Sequence, residues 1–477
     1  MKSFIPSNLY EAYKLATNLL SNYHGIVRVY SHYDADGIAS AGILAKTLYR
    51  FGKNFQVTCR KNLDTEFFAT LQKEKNKLLI VADMGTNQAF QIKEHVNYLI
   101  ILDHHEPSKE IKEWHRSQSA EPEREKGKLL IDEKRSLEAR NIVLLNSHLY
   151  GIDGTKEACA STMCFLFSIF CNPGNWDLLP FAVAGCEGDR QNSGGKFYGL
   201  NQVIVENGIA NGIIDKRKTF SFDGETVYEA LSTTNDPFFK MFVEDPKKID
   251  TVLGLLAIPP STKIKELTPE QIKKLNSYLT LYFLKENVDL TAVLTLCQDD
   301  YFMKNNVRAK TLANYLNACG RTGKQELAIG LFFEFDRYAE SCAAVRNAYR
   351  EKVRKYLLTL LKEGTQKGEA IQYTWVEEGE FAGAIGGLAL TFFLEKTKPV
   401  FVLSRKGKVV SISARALDSM VKAGLNLAEC CRVAAEKCGG RGGGHNIAAG
   451  AEVPEGKEEE FLKLADEIVK EQLGSVS

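Results

Sequence analysis

Over the first 200 residues, short β-branched runs alternate with amphipathic stretches. Ile26–Tyr30, Leu78–Ala82 and Tyr98–Leu102 have the length and composition of strands, and Gly37–Tyr49 between the first two has helical spacing. This alternation predicts βαβ units and a parallel sheet covered on both faces. From Asn211 to Lys324 the pattern turns mainly helical, with breaks at Asp236-Pro237 and Pro259-Pro260. A charged helix is expected over Arg337–Lys362, and a buried one over the apolar run Gly383–Leu394. Strand-like runs at Pro399–Leu403 and Val409–Ser413 follow, then the glycine-rich segment Gly439–Gly444. No internal repeat is visible. The fold class expected is α/β.

Composition narrows the class. At roughly 150 residues per domain, 477 residues hold about three. Hydrophobic residues at 44% and charged residues at 25% are ordinary for a folded chain. With 61 Lys+Arg against 60 Asp+Glu the net charge is +1, so nucleic-acid binding must rest on local patches. The run Gly383–Leu394 is too short to span a bilayer, and Met1–Pro6 lacks a signal-peptide core. Eleven cysteines without a Cys-x-x-Cys pair read as reduced thiols, and the expected location is cytoplasmic. Lys109–Lys128, rich in Glu, Arg, Lys, Ser and Pro, reads as a solvated surface excursion.

Three acidic clusters each follow an expected strand: His32-Tyr33-Asp34-Ala35-Asp36-Gly37, Asp83-Met84-Gly85, and Asp103-His104-His105. Carboxyl ends of parallel strands line one crevice, so distant clusters can converge there. His-x-Asp-x-Asp in an extended turn would present three ligands on one short stretch. Mixed imidazole and carboxylate suits a divalent ion such as manganese better than a structural zinc. Asp189, after the apolar run Leu178–Ala184, could close the set. Each cluster has a plainer meaning. An Asp after a strand is usually a helix N-cap, and paired histidines are often surface residues. Yet six ionisable groups in one crevice are costly without cations, and this decides for a metal site. A haloacid-dehalogenase reading of Asp34-Ala35-Asp36 leaves Asp103-His104-His105 unexplained. No Walker-type phosphate loop is present.

In this order, His32-x-Asp34-x-Asp36-Gly37, Asp83, Asp103-His104-His105 and Asp189 resemble the four motifs of the DHH phosphoesterase superfamily. Gly439–Gly450 resembles the glycine-rich signature of the DHH-associated substrate domain. Asn317-Ala318-Cys319-Gly320-Arg321 resembles a segment of RecJ nucleases. With Ser413-Ala414-Arg415, the chain is most similar to archaeal RecJ-like nucleases, including the GINS-associated kind. The resemblance implies a parallel-sheet DHH catalytic domain over 1–205, a mainly helical insertion over 206–325, and a linker helix with a smaller α/β substrate domain over 326–477. It implies two manganese ions, with magnesium as the alternative. His32, Asp34 and Asp83 would hold one, and Asp36, Asp83, His104 and Asp189 the other. Asp103 would orient a neighbour, and His105 would face the scissile phosphate, so Asp83, Asp103 and His105 are the catalytic candidates.

Phe401–Gly450 carries eight Lys/Arg against three Asp/Glu, and Ala451–Ser477 three against eight, so neutrality hides a basic patch beside an acidic tail. Met303–Gln325 holds Lys304, Arg308, Lys310, Arg321 and Lys324 with no acid. Such patches supply sequence-independent affinity for phosphates. The substrate-binding candidates are Arg308, Asn317, Arg321, Arg415, Arg441, Gly443, Gly444 and His445. The glycines could cradle a phosphate or form a flexible turn. Arg415 could be a solvated arginine, and Tyr33 could stack a base or pack in place. The function expected is a manganese-dependent single-strand exonuclease on DNA, RNA or both. The alternatives are a small-substrate phosphodiesterase, or a replisome scaffold binding a GINS-like partner through the insertion. No membrane association is expected.

Overall fold

The computed structural model describes residues 5–73, 77–119, 141–192, 195–222 and 224–474. The chain forms two compact units, one of residues 1–218 and 299–346, the other of 219–298 and 347–477. These units cut the chain elsewhere than at 205/206 and 325/326.

The first unit is built on five parallel strands: β1 (Val27–His32), β2 (Phe55–Arg60), β3 (Leu78–Ala82), β4 (Tyr98–Asp103) and β5 (Ile142–Asn146). Their order is β2-β1-β3-β4-β5. β3 and β5 are buried along their whole length, as strands covered on both faces must be. Register aligns the strand ends. Ser31 pairs Ala82, Ala82 pairs Leu102, and Leu102 pairs Leu145. The next residue along each strand is His32, Asp83, Asp103 or Asn146, so these four stand in one row at the carboxyl edge.

Helices Ala35–Arg50, Ala160–Cys171 and Leu179–Gly188 pack together beside this sheet, apolar on nearly every side. Helix Ala309–Arg321 packs on the first and third of these through Leu312, Ala313, Leu316 and Gly320. The segment carrying Asn317 and Arg321 therefore belongs with the parallel sheet, not with the insertion expected over 206–325. Gly42 makes room for Phe332, whose ring any Cβ there would overlap and which stacks on Phe181 at 3.8 Å. Two strands interrupt the stretch expected to be mainly helical, β6 (Ile214–Phe220) and β7 (Cys297–Met303), hydrogen-bonded to each other. The middle of β6 is exposed on both faces, so it lacks the alternation that marks a strand.

The second unit holds a six-stranded sheet of β8 (Gln366–Lys367), β9 (Gln372–Trp375), β10 (Val400–Lys406), β11 (Val409–Arg415), β12 (Arg441–Gly444) and β13 (Ala448–Pro454). The order is β12-β13-β11-β10-β9-β8, antiparallel except between β9 and β10. The apolar run forms helix Ala382–Phe392 against β10 and β11, and the charged stretch forms helix Phe335–Glu363. Lys109–Ser119 is a helix anchored by buried Ile111; the rest of the expected excursion, from residue 120, lies outside the described residues.

Candidate metal centre

Local structure places each acidic and imidazole group. His32 ends β1. Asp34 caps helix Ala35–Arg50 by accepting from the Gly37 amide at 3.1 Å, so it is an N-cap and a site residue at once. Only Asp34 is extended; Asp36 already lies in the first helical turn, so the expected extended turn is a strand end running straight into a helix. Gly37 permits this, since a Cβ there would overlap the His32 carbonyl. Asp83 follows β3 in the left-handed region, φ +57°, a conformation costing a non-glycine residue on the order of 1 kcal/mol. Asp103 ends β4, and Asp189 caps the C-terminus of helix Leu179–Gly188.

The side chains converge in three groups, each with ligand atoms within 4.8 Å of one another: His32, Asp34, Asp83; Asp36, His104, Asp189; and Asp83, His104, His105. Asp83 is nearly fully buried and central. Its Oδ2 lies 3.4 Å from His32 Nδ1, and its Oδ1 lies 3.2 Å from His104 Nε2 and 4.0 Å from His105 Nδ1. His104 Nε2 is also 3.5 Å from Asp189 Oδ2. Asp36 accepts from the Ala160 and Ser161 amides at 2.8 and 3.0 Å, at the start of helix Ala160–Cys171. There is no room for a side chain at Gly185, where a Cβ would overlap Ser161 Oγ. A cleft of about 290 Å³ opens beside the group, lined among others by His32, Lys61, Asp83, Asn87, Asp103 and His105.

One bond tests whether these residues fit a cation. His104 Nδ1 lies 2.6 Å from the Gly154 carbonyl, which can only accept. The Nδ1 proton is therefore spoken for, and in neutral imidazole Nε2 turns a lone pair toward Asp83 and Asp189. Acceptors facing acceptors need a proton or a metal ion between them. The donor set fits a divalent cation.

Electrostatics agree. Burial raises Asp36, and the charges of Asp83 and Asp189 push it further, to about 7. Burial and the charges of Asp83 and Asp34 also raise Asp189. Burial disfavours charged His104, yet Asp189, Asp83 and Asp36 hold its pKa well above the usual imidazole value. Asp34 and Asp103 are held well below the carboxylate range despite burial, chiefly by His32 and His105 respectively. Asp103 accepts from the Thr86 amide and hydroxyl, the His104 and His105 amides, and His105 Nδ1. It thus braces the loop and His105. Fold and desolvation have collected negative charge where a bound cation would relieve it.

Several supporting residues carried no signal of their own in the sequence. Asn146 donates to Thr86 Oγ1 and to the His105 carbonyl. Gln191 donates to the Gly154 carbonyl and to Asp189, and accepts from Asn201, which accepts from Thr162. Asn146 ends the fifth parallel strand, level with Asp103; that position was the one available clue.

The substrate-binding candidates divide between the units. In the first, Arg321 donates to the Tyr33 hydroxyl at 2.6 Å and lies over its ring at 5.0 Å, with Asn317 beside it. Gly320 allows this, because a Cβ there would overlap the Tyr33 carbonyl. Tyr33 meets His32 edge-on, so it is packed in place. Arg308 is engaged by buried Asp300, donating from Nε at 2.8 Å and also from Nη2. In the second unit, Arg415 ends β11 and donates to the Ala414 carbonyl. Arg441 forks onto Glu452. The glycine run is neither a loose turn nor a loop: residues 441–444 form the edge strand β12, closed on β13 by a turn in which His445 and Ala448 bond each other. Gly442 lies so close to helix Leu427–Lys437 that a Cβ would overlap the Cys431 carbonyl. Of Gly442, Gly443 and Gly444, only Gly443 has open space where a Cβ would stand.

Residues 26–124 match the DHH family, N-terminal domain, and residues 368–471 match the DHHA1 domain. The uncharacterized protein MJ0831 of Methanocaldococcus jannaschii is 34% identical over 95% of this chain and 95% of its own. The chain belongs to the DHH superfamily. Its fold is RecJ-like. RecJ of Thermus thermophilus, solved in complex with Mn2+, superposes with a TM-score of 0.56 at 16% identity, covering 98% of this chain. This chain spans only 55% of that RecJ chain. CDC45 of Entamoeba histolytica superposes with a TM-score of 0.62 at 12% identity, over 98% of this chain and 99% of that one. At such identities the likeness concerns fold alone. Within this DHH fold the His32–Asp36, Asp83, Asp103–His105 and Asp189 motifs form the groups described above. No helix among the described residues is long and apolar enough to cross a membrane.

Proposed function

We propose that this DHH protein is a manganese-dependent exonuclease of single-stranded nucleic acid, working through two metal ions. The observation that carries the reading is Asp83, shared by a group with His32 and Asp34 and a group with His104 and His105, with Asp36 and Asp189 completing the second position. Magnesium is the alternative ion. When bound, such a pair supplies a nucleophilic hydroxide and neutralises charge on the attacked phosphate and the leaving oxygen. The chain's own residues do the rest. Asp83 would hold both positions together from a strained backbone, and Asp103 orients His105, whose side chain is 37% exposed and able to meet a phosphate oxygen. Arg415, Arg441, Gly443, Gly444 and His445 of the DHHA1 region, with Arg321 and Asn317, would grip the strand; residues 1–205 would serve as the catalytic domain.

A scaffold related to CDC45 is the second reading, favoured by fold similarity over the full length of that chain. A scaffold has no need to keep carboxylates crowded at a cost, and every expected ligand position here is filled. Binding of a GINS-like partner through residues 206–325 is compatible with either reading. A time course on DNA and RNA strands labelled at either end, with manganese and with chelator, tests the proposal. Shortening from one end that needs manganese supports it; no hydrolysis of any strand in manganese or magnesium leaves the scaffold. Hydrolysis confined to dinucleotides would assign a small-substrate phosphodiesterase instead.

A further inference from the structure

A second cavity, of about 260 Å³, lies within the first unit and shares no lining residue with the cleft at the metal centre. Its walls are Lys112, His115, Arg116, His148 and Leu149. The first three occupy positions i, i+3 and i+4 of helix Lys109–Ser119, so one face of that helix is basic. His148 and Leu149 come from the single turn Ser147–Tyr150 that follows β5. Among the described residues, four of the five walls carry a basic side chain.

Among the described residues, the acid that answers them is Glu106. It takes the Lys112 ammonium, and its Oε2 lies 3.3 Å from His148 Nδ1. Arg116 is exposed and has no carboxylate partner among the described residues. His148 Nε2 is buried without a hydrogen-bond partner. His115 meets Tyr150 edge-on at 5.1 Å, which sets its ring at the wall. His148 in turn presses on Gly154, where a Cβ would overlap its ring, and the Gly154 carbonyl is the acceptor for His104. The cavity is separate from the metal centre yet one residue removed from its tautomer-setting bond.

We propose that this cavity is an anion site for a phosphate group, distinct from the metal centre. The Arg116 guanidinium and the His115 imidazole, with the Lys112 ammonium on the same wall, suit an oxyanion with several acceptor oxygens. The group can come from free phosphate or from the backbone of a bound strand. The site does not depend on the nuclease reading.

The test is calorimetric titration of the full chain in chelator, which removes metal-dependent phosphate binding. Two probes are used separately: inorganic phosphate, and a thymidine oligonucleotide without terminal phosphates. Wild type is compared with Arg116→Ala and His115→Gln, with melting temperature as the check on folding. Loss of one charge-assisted hydrogen bond should weaken the relevant probe roughly tenfold or more. If inorganic phosphate alone weakens, the ligand is free phosphate. If the oligonucleotide weakens and its salt slope falls by about 0.7, the site reads a strand phosphate. Wild-type affinity for both probes in both folded variants would overturn the assignment. Because no turnover is measured, failure of the exonuclease proposal leaves this result standing.

Discussion

His104 and Gly154 stand 50 residues apart in the chain, joined by a 2.6 Å bond from the imidazole Nδ1 to the backbone carbonyl. That bond decides which nitrogen faces Asp83 and Asp189, and so turns a lone pair toward a crowded acidic crevice that could hold a cation. Gly154 must be glycine, since a Cβ would overlap the His104 carbonyl and press on His148. Gly154→Ala should weaken manganese binding roughly ten- to hundredfold, the usual effect of disturbing the partner of a ligating histidine. Calorimetric titration with manganese checks this, with circular dichroism to show that the fold survives. Unchanged affinity would mean that the tautomer is set elsewhere.

Asp83 belongs to two of the three groups that could hold a metal ion. Asp83→Asn should abolish hydrolysis by orders of magnitude and lower the number of manganese ions bound, while strand binding persists in part. Metal stoichiometry and turnover measured on the same preparation decide it; retained turnover removes the bridging role.

Arg321 reaches the Tyr33 hydroxyl at 2.6 Å, and its charge helps hold Asp34 ionised. Arg321→Ala should therefore weaken manganese binding, about tenfold for one lost charge-assisted contact, as well as strand binding. Arg321→Lys should recover part of the metal affinity through its charge. If the alanine variant lost strand affinity alone, Arg321 would be purely a substrate contact.

The metal-free centre should respond to pH with a defined sign. Asp36 keeps its proton up to about 7 in the folded chain but only to its ordinary value when unfolded. Between those values the native state binds the extra proton, so this group's contribution to stability falls as pH rises, then levels off above about 7. His32 and His104, raised above the usual imidazole value, likewise favour the folded chain at low pH and lose that contribution as pH climbs through their folded pKa. Manganese must displace these protons, so its stabilisation should grow with pH. Melting temperatures from pH 6 to 9, with chelator and with manganese, should diverge; parallel curves would contradict the coupling.

Arg415→Ala should lower the slope of log affinity against log salt by about 0.7 for a single strand and leave metal occupancy unchanged. An unaltered slope would assign Arg415 to the fold of its sheet.

The first sheet and its site motifs were legible in the sequence because strand ends have a chemical signature. Runs such as Leu78–Ala82 are apolar throughout, and the charge that follows them can only stand at an edge. The three carboxylate and histidine clusters could therefore be placed in one crevice before any distance was known. Tertiary structure decided what periodicity does not encode. β6 has no alternation, because its middle is solvated on both sides, and it read as part of a helical region. Helix Ala309–Arg321 joined the first unit because Gly320 lets it reach the Tyr33 backbone, a fit that depends on two surfaces meeting. The sequence shows Arg308 only as one basic residue of an acid-free stretch, whereas in the fold buried Asp300, eight residues upstream, holds it. The run Arg441–Gly444 suggested a loop, yet its glycines serve a strand pressed against a helix. Local pattern reports whether a residue is buried or solvated; which partner it meets depends on packing between segments far apart in the chain. That is why the acidic and imidazole residues of the crevice were readable and Gly154, Gln191 and Asn201 were not.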